Sequence, residues 1–159
     1  VTRWTAALPA AATAAITLTA ALPAVAATPL PRATGQAHST RGKAVNLRLT
    51  ERTRHQLADA FYKQYYGQGH PGTRGRVDGP KHVYYGKIRG ASAAKDVYWA
   101  IGSVGVKGDP VSYQDGPHIW RKRGNHGWEY RGDTGGCVEG GVPKALLQLW
   151  RFPACGFPA

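Results

Sequence analysis

The sequence predicts an α+β domain: an N-terminal helix, an antiparallel sheet of about four strands, and a short disulfide-tethered C-terminal helix. Three observations predict it. Between Thr50 and Tyr66, Leu57, Phe61 and Tyr65 recur every four positions with Ala58 and Tyr62 beside them, the stripe of an amphipathic helix. From Lys81 to Arg131 the period becomes two, rich in valine, tyrosine and tryptophan and broken by Gly, Asp, Pro and Asn. Two cysteines, Cys137 and Cys155, bracket a last apolar stretch, Ala145 to Trp150.

Residues 1–26 read as a secretory signal peptide. Arg3 is the only charge before Arg32, an apolar run follows from Trp4, and Ala24-Val25-Ala26 supplies the small-x-small cleavage pattern. Pro9, Pro23 and the threonines between them argue against a spanning helix. No cysteine follows the run to carry a lipid, so no stable membrane anchor is expected. Residues 27–44 are rich in Pro, Ala, Thr, Gly and Arg, with Leu30 the one large apolar side chain. They read as a disordered leader. Residues 45–159 remain as one domain, long enough for a core of its own. The chain is therefore expected to be secreted, and export makes its two cysteines a disulfide rather than a metal pair. The bridge closes a loop of about 18 residues, worth roughly 3 kcal/mol in the chain-entropy account.

Each element has its local reason. Thr50 is an N-cap for the first helix, Glu51 complements the positive end of its dipole, and Gly67 is a C′ stop. Gly67 to Pro80 reads as a basic loop with Arg74 and Arg76. It contains a literal G-x-G-x-x-G, Gly67 to Gly72. That run follows a helix rather than a strand, and Pro71 removes a backbone donor, so a dinucleotide site is excluded. Lys81 to Ile88 is a strand. In the next, Val97, Trp99 and Ile101 alternate with Tyr98, Ala100 and Gly102, while Val104 and Val106 take the opposite parity. A bulge at Gly102 or Gly105 would switch the faces. His118 to Arg131 is a hairpin turning through Gly124-Asn125-His126-Gly127. An even loop sets Arg123 opposite Trp128, Lys122 opposite Glu129, Arg121 opposite Tyr130, and Trp120 opposite Arg131. Ile119, Trp128 and Tyr130 then form the core face. Trp120, Lys122, Glu129 and Arg131 form the outer face, with a Lys122–Glu129 ion pair and an Arg131–Trp120 cation–π contact. Gly132 to Gly136 is a turn delivering Cys137, and Pro143 and Pro153 delimit the last helix.

Several chemistries are excluded. Gly132-Asp133-Thr134-Gly135-Gly136 looks like a serine-protease nucleophile loop, but Thr134 stands at the nucleophile position and the chain is too short for two β-barrels. The six histidines are scattered singly without an H-E-x-x-H, so neither metal nor cofactor is expected. The formal charge is +12, and signal cleavage removes only Arg3 of it. Such a balance favours an anionic macromolecule: nucleic acid, cell-wall polymer or acidic protein. Exposed aromatics beside arginine anchor such contacts, which points to Trp120, Arg121, Lys122, Arg123 and Arg131 as binding residues. The alternative is a small ribonuclease-like hydrolase with Glu129 as base, His118 or His126 as acid and Arg131 on the phosphate. Non-catalytic binding is the preferred reading.

The signal peptide, the Tyr84-Tyr85-Gly86 strand, the run from Trp128 to Asp133 and the Cys-bracketed terminal helix together resemble small secreted proteins of actinobacteria that carry no assigned activity. That resemblance implies export, and no reaction.

Overall fold

In the computed structural model, residues 42–114, 116–138, 140–153 and 155 are described. The expected signal peptide and the leader up to residue 41 lie outside the described residues. Five strands form one antiparallel sheet in sequence order: β1 (Ala44–Asn46), β2 (Val77–Ile88), β3 (Val97–Val106), β4 (His118–Arg123) and β5 (Glu129–Tyr130). This is one strand more than expected. The extra one is β1, which begins at the last residue assigned to the leader and pairs Ala44 with Ile88. Strand β2 also starts earlier than expected. Val77 and Asp78, read as loop, pair with Val106 and Gly105.

Helix α1 (Glu51–Phe61) begins at Thr50, whose hydroxyl accepts from the Thr53 N–H at 3.1 Å. It buries Leu57, Ala58, Ala60 and Phe61. It does not stop at Gly67. A π-helical turn, Tyr62–Tyr66, carries the chain into a short turn α2 (Gly67–Gly69), and Gly67 keeps right-handed φ and ψ of −68° and −16°. The continuation places Gln64 at the outer edge of β5. Its amide donates to the Trp128 carbonyl and accepts from the Tyr130 N–H, both at 2.8 Å. One side chain thus occupies the backbone groups of a two-residue edge strand that would otherwise stand open.

The sheet is covered on both faces, which decides where every tryptophan goes. On one face α1 packs over Ala100, Val104, Val106, Trp120 and Trp128. On the other, Ile101 and Ile119 pack against Val138, Val142 and the terminal helix α3 (Lys144–Trp150), which contributes Leu146, Leu147 and Trp150. The parity of Val104 and Val106 therefore needs no bulge in β3. Residues of even number face α1 and those of odd number from Val97 to Ile101 face α3, and from Ala100 to Gly102 both parities are buried because both faces have a cover. The register shifts fall in β2 instead, between Asp78 and Lys81 and between Lys81 and Tyr84.

Helix α3 comes close to the sheet at Gly86. A Cβ there would lie 2.7 Å from the Val45 carbonyl oxygen and 3.0 Å from both the Leu146 side chain and the Trp150 ring. The Trp150 indole N–H reaches Asn46 at 3.1 Å, tying α3 to β1. Arg151, left-handed at φ 51°, ends the helix, and the Cys137–Cys155 disulfide is formed.

Two expectations follow. Gly86→Ala should lower stability by about 1–3 kcal/mol through overpacking, whereas Gly127→Ala, with nothing within 4 Å of its Cβ, should fall within about 0.5 kcal/mol of the parent. Urea unfolding midpoints of the two variants check this. Reducing the disulfide, with its separation of 18 residues, should cost about 3 kcal/mol by the same measurement.

Candidate functional site

The site is the part of the α3 face that α3 leaves uncovered. In the ladder, Trp99 lies between Gly86 and Arg121, and Arg121 pairs with Glu129. One row nearer the strand ends, Val97 lies between Ile88 and Arg123. These two rows carry an open depression of about 620 Å³. Ile88, Val97 and Trp99 form its floor, with Ala94 and Pro143 at its walls. Lys95, Arg121, Arg123 and His126 surround it, and no acidic residue lines it among the described residues.

Loop contacts hold the rim in place. The Asp96 carboxylate, 5 % exposed, accepts from Lys87 at 2.6 Å and from the Gly90 N–H at 2.9 Å. Its own carbonyl accepts from the Gly124 N–H at 2.7 Å. Gly124, at φ +49°, lies so close to the 93–95 turn that a Cβ would meet the Ala94 carbonyl oxygen at 2.2 Å. The β2–β3 connection and the β4–β5 turn are thereby packed together. Lys95 from the first, His126 from the second and Arg123 from the end of β4 converge on one depression.

The side chain of Arg121 is fixed from two directions. Its Nε and Nη2 donate to Glu129 Oε2 at 3.2 and 2.6 Å, and its guanidinium lies 5.8 Å from the centre of the Trp99 ring. These hydrogen bonds from Arg121 hold the Glu129 carboxyl below its ordinary value against partial burial, and the charges of Arg121, Arg123 and Arg131 add to the effect. Arg131 reaches the same carboxylate at 4.0 Å.

The hairpin register is one residue away from the one expected. Trp120 pairs with Tyr130 and Arg121 with Glu129, an odd register that reassigns every side chain. Trp120 is not an exposed anchor. It is 0 % exposed beneath α1, against His118 and Tyr130. Glu129 is the partner of Arg121, not of Lys122. Ile119 leaves the face of Trp128 and Tyr130 and packs under α3. Of the five expected binding residues, Arg121 and Arg123 share the depression, and Arg131 stands beside it through Glu129. Lys122 is on the α1 face, its ammonium 4.5 Å from the centre of the Tyr98 ring and 5.5 Å from that of Trp128, where burial pushes its pKa down. It lines a separate pocket of about 340 Å³ with Asp59, Lys63 and Asn125.

His118, one of the two expected acids, is 1 % exposed and bonds the Tyr130 hydroxyl at 2.7 Å on the α1 face, away from Glu129. His126 lines the depression. Trp99 and Lys95 were missed as site residues. In the sequence Trp99 stands only as one member of the alternation in β3, and the signal that identifies it is its cross-strand arginine. No group of three His, Cys, Asp or Glu among the described residues is arranged to hold a metal ion. In comparisons with known proteins, no family model, no curated protein and no solved structure matches this chain.

The Asp96 contacts give a pH prediction with a definite sign. Hydrogen bonds from Lys87 and the Gly90 N–H lower the Asp96 pKa in the fold. The stabilisation is therefore present above the ordinary aspartate range and is lost as pH falls through the depressed value. Asp96→Asn should be less stable at neutral pH and should flatten the acid limb of the stability curve, read by thermal unfolding from neutral to acid pH.

Proposed function

We propose that the chain is an exported binding module that engages an anionic macromolecule, without catalysis, at the Trp99–Arg121–Arg123 face. The observation that carries this reading is the composition of the depression: an apolar floor, four basic residues around it and no acidic one. The net charge of +12 acts in the same direction, drawing polyanions to the surface by long-range attraction. The intrachain disulfide is compatible with an extracellular location.

The hydrolytic reading has one observation in its favour. Glu129 is an ionised carboxylate among Arg121, Arg123 and Arg131, and His126 borders the same depression. Against it, Arg121 engages that carboxylate through two hydrogen bonds, leaving it as the positioning partner of an arginine. RNA digestion by the parent but not by Glu129→Gln would favour hydrolysis. No digestion by either is the outcome the binding reading requires, and equal digestion by both rules out Glu129 as the base.

The direct test is retention of the full chain on immobilised polyanions at low salt. Binding should weaken steeply with salt, since each neutralised phosphate of a single strand contributes about −0.7 to the slope of log K against log salt. Arg123→Glu should weaken it by about tenfold or more. Retention that ignores salt, or no retention on any polyanion, contradicts the proposal.

A further inference from the structure

We infer that the depression takes an unpaired segment of nucleic acid. Its bases cover the Trp99 ring and the Arg121 guanidinium, and its phosphates meet Lys95 and Arg123. The inference rests on the polyanion reading above and narrows it to one ligand class.

The floor makes the distinction. Charge alone needs only a basic surface, and the chain has basic residues on every side. Here the cations border half-buried apolar groups, Ile88, Val97 and Trp99, that a purely ionic ligand leaves unused. The Trp99 ring and the Arg121 guanidinium lie against one another at 5.8 Å. Arg121 is already bonded to Glu129, so its plane is held before any ligand arrives, and ordering it adds little to the cost of binding. Aromatic rings and guanidinium planes are the surfaces on which unpaired bases stack. In a duplex those base faces are covered by their neighbours, so only the rim would be used.

Ala44, Ile88, Val97 and Arg123 form one row across β1 to β4. Lys43 and Arg89, one residue past Ala44 and Ile88, take the opposite parity, so the phosphate contacts on this face are Lys95 and Arg123. Glu129 lies at the opposite margin, paired with Arg121, and presents no uncompensated negative charge to the ligand.

The test uses the full chain and labelled oligonucleotides about ten residues long, oligothymidylate and oligouridylate, against a duplex of equal length and inorganic polyphosphate, followed by anisotropy across a salt series. Single strands should bind about tenfold tighter than the duplex at equal salt, the size of one stacked base. Trp99→Leu should abolish that preference, and Trp99→Phe should retain most of it. Arg121→Lys keeps the charge and removes the plane, so it should reduce the preference even if Trp99→Leu fails to fold. Arg123→Ala should reduce the salt slope for single strands by about 0.7. Preference for DNA, for RNA or for neither over the other supports the inference and names the source. Equal affinity for single strand and duplex, untouched by Trp99→Leu and Arg121→Lys, overturns this inference and leaves the polyanion reading standing. Absence of salt-sensitive binding to every polyanion, polyphosphate included, overturns both.

Discussion

A five-stranded sheet covered on both faces by helices of unequal length is the constraint on which the rest of the structure depends. Helix α1 and its π-helical continuation run from Glu51 to Tyr66 and cover their face as far as the edge strand β5. Helix α3 has seven residues and is about 10 Å long, whereas the ten-residue β3 is roughly 33 Å long. The short helix covers the rows of Ile101 and Ile119 and comes down on Gly86, but leaves Trp99 and Arg121 half-buried and Arg123 exposed. The candidate site is thus the remainder of a burial problem, an apolar strand face whose cover runs out.

That remainder has a mixed character for a physical reason. Its floor still carries the residue types of a covered strand, while its rim carries side chains that remain hydrated. Arg121 belongs to both, its stem packed along the sheet and its guanidinium held by Glu129 over Trp99. Asp96 and Gly124 fix the surrounding loops, so the basic rim is held by buried hydrogen bonds rather than by exposed loop residues alone. A polyanion meeting this surface finds most of the geometry already in place, which limits what binding must order.

Much of the fold is legible in the sequence. The Leu57/Phe61 stripe and the Thr50 cap locate α1, the period-two run locates β3, and the two cysteines locate the tether of α3. The rest is hidden for identifiable reasons. Strand β1 is three residues long and starts at the last residue of a segment whose composition reads as disordered. Helix α1 runs past Gly67 because that glycine stays right-handed. The hairpin register turned on loop parity, and alternation could not settle it, because with both faces covered each parity contains tryptophan. That single ambiguity moved Trp120 from an expected anchor to the core. Arg121 and Arg123 were legible as arginines beside an aromatic residue, not from their face, since the expected register gave the outer face to Trp120, Lys122, Glu129 and Arg131; Lys122 in fact lies on the α1 face.

On the proposed reading, ligand contact is confined to the uncovered part of the α3 face. Amide chemical-shift mapping of the full chain during titration with a single-stranded oligonucleotide tests it most directly. Perturbations are expected to centre on residues 94–99, 121–126 and 129–131. Perturbations centred instead on the Lys122 pocket beside α1, or on the 70–76 segment, would contradict it.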